Sequence, residues 1–395
     1  MIKKVLFVSS IYKPNVGGVE TAIEELCEQY HKLGIKTAVL TKKYPFDLPE
    51  YEKCGYADII RVSRPKTPED NLKLMRKLIA DKRLKADVIH VMGIRRPLPM
   101  FALYLARFQN IPVVMNFVGS DVLISNDADN YKIWEEGRED LLPSVLQADG
   151  FISFSEGISK AARNMFLSIK DIKTIYAGID LAKIMKAKPK QNLGLYVMTA
   201  RRLIYSKGID VLISAFQIVL KKFPNIKLYI AGDGPEKENL IQQTKEYGVD
   251  SSVIFLGTIG LDELFSYMKG ALMHICPSRA EGGGIVNVEA SACGCVPIGA
   301  CVDGIPEYIQ DGRTGLLFQS EDGQDLANKM IYLLENPEVL RCMRNNGYEF
   351  ASTFDINVKA REYLESYNIE AKKQVETWSI NSKDLWEIVQ NAKRN

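Results

Sequence analysis

Short runs rich in β-branched residues alternate with stretches whose apolar residues recur at helical spacing, almost to residue 367. A strand that reads as continuously apolar is buried on both faces, so helices must cover it. This alternation therefore implies parallel, doubly wound sheets of the α/β class. In the first half the expected strands are Lys4–Ser9, Lys36–Leu40, Ile59–Val62, Asp87–Val91, Val113–Phe117, Gly150–Phe154 and Lys173–Tyr176. Helical patterns fall at Val19–Leu33, Asn71–Arg83, Met100–Phe108 and Ile133–Leu146. The stretch Lys183–Asn192 has the composition of a linker, and the alternation restarts at Leu195.

A chain of 395 residues suits two domains, and an apolar content of 46% supplies two cores. The expected organisation is a domain over 1–185 and a second over 193–355. A further helix falls near 356–370, and a polar tail occupies 371–395. Two doubly wound Rossmann-like domains facing a central cleft would bind a ligand at the carboxyl ends of their strands.

Net charge is +2, which gives no reason to expect a nucleic-acid partner. Residues 61–107 nevertheless hold twelve Lys/Arg against four Asp/Glu. That stretch suits either an anionic surface, such as lipid head groups, or a solvated face. The seven cysteines form no CxxC pair and read as reduced thiols of a cytoplasmic protein. The N-terminal apolar run is too short for a signal peptide and reads as a first strand. No run approaches the roughly 20 apolar residues of a membrane span, so any membrane attachment is expected to be peripheral.

The segment richest in chemistry is Pro277-Ser-Arg-Ala-Glu-Gly-Gly-Gly-Ile-Val-Asn-Val-Glu-Ala-Ser-Ala-Cys-Gly294. A buried strand ends near Cys276, glycines 282–284 follow, and a helix starts near Ile285. Glycines allow close backbone approach, and amides at a helix start suit an anionic or polar ligand. Glu289 lies on an otherwise small, apolar helix, which is costly for a carboxylate without partners. Two ligand hydroxyls, a structural arginine or a solvated edge would each meet that need.

Glu281 and Glu289 are separated by seven residues within a Gly-rich strand-to-helix turn. The segment resembles the E-x7-E motif of the retaining glycosyltransferases of family 4, which have the GT-B fold. Residues 293–318 continue the family pattern, and the resemblance runs from about Val5 to Tyr367, which implies that the helix near 356–370 crosses back to the first domain. It implies a nucleotide-sugar donor, either a UDP- or GDP-sugar, and a glycan or lipid-linked acceptor of bacterial surfaces. It implies no additional cofactor and no metal. Glu281 would bind hydroxyls of the transferred sugar, helped by backbone amides of Gly283, Gly284 and Ile285. Glu289 would hold the ribose hydroxyls.

In Thr199-Ala-Arg-Arg-Leu-Ile-Tyr-Ser-Lys-Gly, the family places an arginine and a lysine at the positions of Arg202 and Lys207 to meet the diphosphate. Fixed cations there stabilise a leaving group that departs with negative charge. Without the resemblance, the pair would read as two solvated loop cations. Ala231-Gly-Asp-Gly-Pro-Glu resembles the family's structural G-x-G-P turn, and the loop at Gly257 resembles the one that meets the base. In the first domain, Gly17 and Gly18 open helix one where backbone can approach a ligand. His90, at a strand's expected cleft end, is a candidate polar residue or a satisfied histidine.

Asn116-Phe-Val-Gly-Ser-Asp121-Val resembles a segment in which the family usually carries an active-site histidine, yet Val118 stands at that position. A front-face retaining transfer needs little from a side-chain base, so activity is compatible with valine. The other reading is an inactive partner subunit that binds nucleotide or glycan. A nicotinamide-dependent oxidoreductase is disfavoured because G-x-G-x-x-G is missing. Asp127-Ala-Asp129 mimics a metal motif but follows no suitable strand end, so it reads as a loop.

Overall fold

A computed structural model describes residues 2–15, 17–94, 97–119, 121–122 and 145–372. Most of the expected helix Ile133–Leu146, the Asp127–Asp129 pair, Arg95, Arg96, Ser120 and the tail from 373 lie outside the described residues. One compact unit comprises the described residues up to Gly178 and the helix Ile356–Lys372. The other runs from Ile179 to Asp355.

The first unit holds β1 (Lys4–Ser9), β2 (Lys36–Lys42), β3 (Tyr51–Lys53), β4 (Asp58–Val62), β5 (Val88–Met92), β6 (Val113–Phe117), β7 (Gly150–Ser153) and β8 (Lys173–Thr174). They form one sheet in the order β3-β4-β2-β1-β5-β6-β7-β8. Every pairing is parallel except that of β3 with β4. Strand β3 was not expected: all three of its residues are exposed, so burial leaves no pattern to read.

The second unit holds β9 (Tyr196–Ala200), β10 (Lys227–Ala231), β11 (Val253–Gly257), β12 (Met273–Cys276), β13 (Val296–Ala300) and β14 (Leu316–Phe318). Their order is β11-β10-β9-β12-β13-β14, parallel throughout. The chain is thus α/β with two Rossmann-like parallel sheets. Each sheet reverses its winding beside its first strand, between β1 and β5 and between β9 and β12. Loops leaving such a pair diverge and open a crevice at the strands' carboxyl ends.

The expected linker needs correction at its start. Leu181–Lys186 is a helix, capped by the Asp180 carboxylate accepting from the Lys183 amide and anchored by buried Ile184. The basic excess over 61–107 is also less available than its count implies. Arg61 is buried against Glu52, and Arg107 against Asp149. Lys73, Arg76 and Lys77 stay exposed on the helix Pro68–Ala80, with Lys77 paired to Glu50.

The helix Ile356–Lys372 docks on the first unit through polar groups as well as apolar area. Gln29 donates to Asn357, and the Tyr363 hydroxyl donates to the Ile175 carbonyl at 3.1 Å. The Tyr367 hydroxyl meets Nδ1 of His90 at 2.6 Å. His90 therefore does not face a cleft. It is fully enclosed on β5, flanked by Phe7, Tyr363 and Tyr367, and burial lowers its pKa to about 3. Its Nε2 has no hydrogen-bond partner among the described residues. Tyr367→Phe would leave the other ring nitrogen unpartnered too, at a cost of about 1–3 kcal/mol. The expected result is a melting temperature several degrees below wild type by differential scanning calorimetry. An unchanged transition would show that this buried bond contributes nothing.

Candidate functional site

The second unit's switch point gathers two loops, one after β9 and one after β12. The first runs from Arg201 through the turn Tyr205–Lys207 to Gly208, where the helix Ile209–Lys222 begins. Gly208 has φ +65°, and a Cβ there would lie 2.0 Å from the Pro277 carbonyl oxygen of the second loop. Only glycine satisfies both the conformation and the contact. Arg279 stitches the loops together. Its backbone amide donates to the Ser206 carbonyl at 2.9 Å. Its guanidinium binds both oxygens of Asp210 at 2.9 and 2.7 Å and lies 4.0 Å from the Tyr205 ring centroid. Nothing in the sequence singled out Arg279, because its partners lie about 70 residues away.

Glu281 is the electrostatic centre of this crevice. Its Oε2 accepts from Lys207 Nζ at 2.8 Å, from the Arg201 guanidinium and from Ser278 Oγ at 3.3 Å. Burial pushes the carboxyl upward, but Lys207 and Arg201 outweigh it and bring the pKa down to about 2. Arg201, rather than the neighbouring Arg202, makes this ion pair, and sequence reading did not single it out. Arg202 is exposed at the same strand end. The turn Gly232–Gly234 packs against the backbone of Arg201–Leu203: Arg201 N donates to Ala231 O, and Leu203 N to Asp233 O, each at 2.9 Å.

The glycines after Glu281 have separate reasons. A Cβ on Gly283 would run into the buried Tyr308 ring at 2.8 Å, and Gly284 has φ +89°. Among the described residues, the amides of Gly283, Gly284 and Ile285 donate no hydrogen bond. Helix Val286–Ala292 then carries Glu289, only 6% exposed, whose carboxylate has no hydrogen-bond partner among the described residues. Burial raises its pKa to about 7 against the pull of Arg201 and Lys183. Gly257 closes β11 with φ +68°, and its carbonyl accepts from Gly232 N at 2.8 Å.

In the first unit, Gly17 caps the helix Gly18–Lys32 after β1. A Cβ on Gly17 would press against the Glu20 carboxylate. Val118 follows β6, half-buried, with its side chain toward Gly93 after β5. Asp121 does not present its carboxylate outward. It is 2% exposed and accepts from the amides of Ile94, Val118 and Gly119 at 3.0–3.3 Å, bracing the loops after β5 and β6.

The Glu289 shift has a measurable sign. A folded-state pKa near 7 exceeds the unfolded value of 4.5, so the unfolded chain gives up this proton first as pH rises. Stability attributable to Glu289 is full below about pH 4.5 and declines through pH 7. Glu289→Gln removes that loss and is expected to raise stability at pH 8 by up to about 3 kcal/mol over wild type. Urea unfolding of both proteins at pH 5 and pH 8 checks it, since equal differences at the two values would contradict the shift.

Comparison with known proteins matches this division of the chain. The model of Glycosyltransferase Family 4 covers residues 16–183, and that of Glycosyl transferases group 1 covers 181–350. N-acetyl-alpha-D-glucosaminyl L-malate synthase of Bacillus anthracis is 26% identical over 356 residues, 85% of this chain and 89% of its own. Alpha-monoglucosyldiacylglycerol synthase of Streptococcus pneumoniae is 27% identical over 352 residues, covering 82% and 76%. Among solved structures, Anabaena HepE in complex with UDP and glucose superposes with a TM-score of 0.74 at 20% identity, covering 93% of this chain and 100% of that one. With both sheets, the E-x7-E turn and consecutive family matches in agreement, the chain belongs to the group 1, family 4 type of GT-B glycosyltransferases.

Proposed function

We propose that the protein moves a sugar from a UDP- or GDP-sugar to a hydroxyl of a bacterial surface glycan or lipid-linked sugar, with retention of configuration. The meeting of ionised Glu281 and Lys207 at the second switch point carries this reading. One loop supplies an acceptor for sugar hydroxyls, and the other supplies a cation for the diphosphate. Glu289 takes the ribose hydroxyls, and the loop at Gly257 meets the base.

When the sugar–phosphate bond breaks, its electron pair stays on the diphosphate. Lys207 and exposed Arg202 meet that charge, so the step requires no metal in this reading. The acceptor hydroxyl attacks on the face from which the diphosphate departs and passes its proton to the departing phosphate. No side-chain base is required, which accommodates Val118 where the family usually has a histidine. The UDP and glucose bound by HepE support a UDP-sugar donor. The diacylglycerol in the streptococcal synthase's name supports a lipid-linked acceptor. No helix among the described residues is long and apolar enough to cross a membrane. Exposed Lys73, Arg76 and Lys77 suit peripheral contact with anionic lipid at the cytoplasmic face.

A thermal-shift panel of UDP-, GDP- and ADP-sugars identifies the donor, since saturating ligand at about 100 times Kd adds about 2.7 kcal/mol. UDP- or GDP-sugars are expected to raise the transition. Lys207→Ala should fold as wild type and lose about 10²–10³-fold in donor turnover, followed by nucleotide release. A wild-type protein that binds donor without turnover over a range of acceptors would instead favour the inactive-subunit reading.

A further inference from the structure

We infer that Arg201 and Asp303 form a clamp that fixes Glu281 from both ends, making them positioning residues for the sugar-binding carboxylate. The inference rests on the donor reading above, and neither residue belongs to the E-x7-E pair or to the expected diphosphate cations.

The side-chain half of the clamp is asymmetric. Oε2 of Glu281 receives Arg201, Lys207 and Ser278, whereas Oε1 has no hydrogen-bond partner among the described residues. A carboxylate held through one oxygen presents the other in a fixed direction. Of the two cations, Lys207 has a second task, because the diphosphate draws it. Arg201 does not. Its side chain is 7% exposed, and its guanidinium also touches Cys276 Sγ at the end of β12. Its amide is bonded to Ala231 O, and its carbonyl oxygen lies 1.8 Å from where a Cβ on Gly232 would sit. Arg201 is therefore walled in between the ends of β9, β10 and β12, and it keeps Glu281 in place when Lys207 turns to the diphosphate.

The backbone half comes from the loop after β13. Asp303 Oδ2 accepts from the Glu281 amide at 2.9 Å, and the Gly304 amide donates to the Glu281 carbonyl at 3.2 Å. Asp303 adopts φ +44°, a left-handed conformation that disfavours residues with a Cβ. Glycine would fit there with less strain but would leave the Glu281 amide without its acceptor. The aspartate accepts backbone strain in exchange for fixing Glu281, as preorganised sites do.

The test measures, by isothermal titration calorimetry, affinity for whichever UDP-, GDP- or ADP-sugar wild type binds tightest and for its parent nucleoside diphosphate. Arg201→Gln is expected to weaken the nucleotide sugar about tenfold while leaving the nucleoside diphosphate within about twofold. Arg201→Lys should restore part of the loss, since charge returns without the planar fork. Asp303→Gly should melt at or above the wild-type temperature yet lose several-fold in nucleotide-sugar affinity, with Asp303→Asn, which keeps an acceptor, closer to wild type. A purely structural role would not separate sugar from nucleotide, or stability from affinity. The clamp is overturned if the variants bind the nucleotide sugar as wild type does, or lose both ligands equally. If Arg201→Gln does not fold, Asp303→Gly decides. Wild type that transfers sugar while the variants are unchanged refutes the clamp alone. Wild type that binds none of the nucleotide sugars refutes the donor reading and the clamp with it.

Discussion

Parallel strands cannot be joined by tight turns, so each needs a crossover, and the direction in which crossovers wind decides where a ligand can sit. In the second unit the winding reverses between β9 and β12. The loops after these two strands are 70 residues apart in the chain and adjacent in the fold. Glu281, Lys207, Arg202 and Arg201 all come from them. Gly208 against the Pro277 carbonyl, and Arg279 on Asp210 and Tyr205, keep the loops at a fixed spacing. The crevice is thus a product of topology, locked by a few contacts that have no catalytic chemistry of their own.

Within that crevice, two glutamates with seven residues between them meet opposite electrostatic fates. Both are buried, and burial alone would raise both. Two cations overturn that for Glu281, which is held near 2, whereas Glu289, without a hydrogen-bond partner among the described residues, rises to about 7. The first is poised as a permanent anion. The second is held at an energetic disadvantage that ligand hydroxyls would relieve, because a charge-assisted hydrogen bond contributes about 1.5–3 kcal/mol.

The first unit treats its polar groups differently. His90 and the tyrosines of the last helix are enclosed, and the bond from Tyr367 to His90 joins Ile356–Lys372 to a strand 277 residues earlier. Asp121 is spent on three backbone amides. The loop after β1 carries Gly17 and Gly18, and Val118 after β6 lies against Gly93 after β5.

The two doubly wound sheets were legible in the amino-acid order, since a buried parallel strand leaves an apolar run and its covering helix a stripe. Glu281, Glu289, Arg202 and Lys207 were marked only through the family resemblance, since by spacing alone the acids and the loop cations read equally well as structural or solvated groups. What escaped the sequence depends on distant partners. Strand β3 has no buried face to leave a pattern, and the helix Leu181–Lys186 was hidden by lysines beside a single buried isoleucine. A histidine in an apolar run reads the same whether its ring meets solvent or a tyrosine from the far end of the chain. Two adjacent arginines, Arg201 and Arg202, are indistinguishable by spacing. The β9 backbone turns one guanidinium inward to Glu281 and leaves the other exposed. Which atoms meet across the crevice was decided by tertiary structure alone, because strand order is a long-range property that local periodicity does not encode.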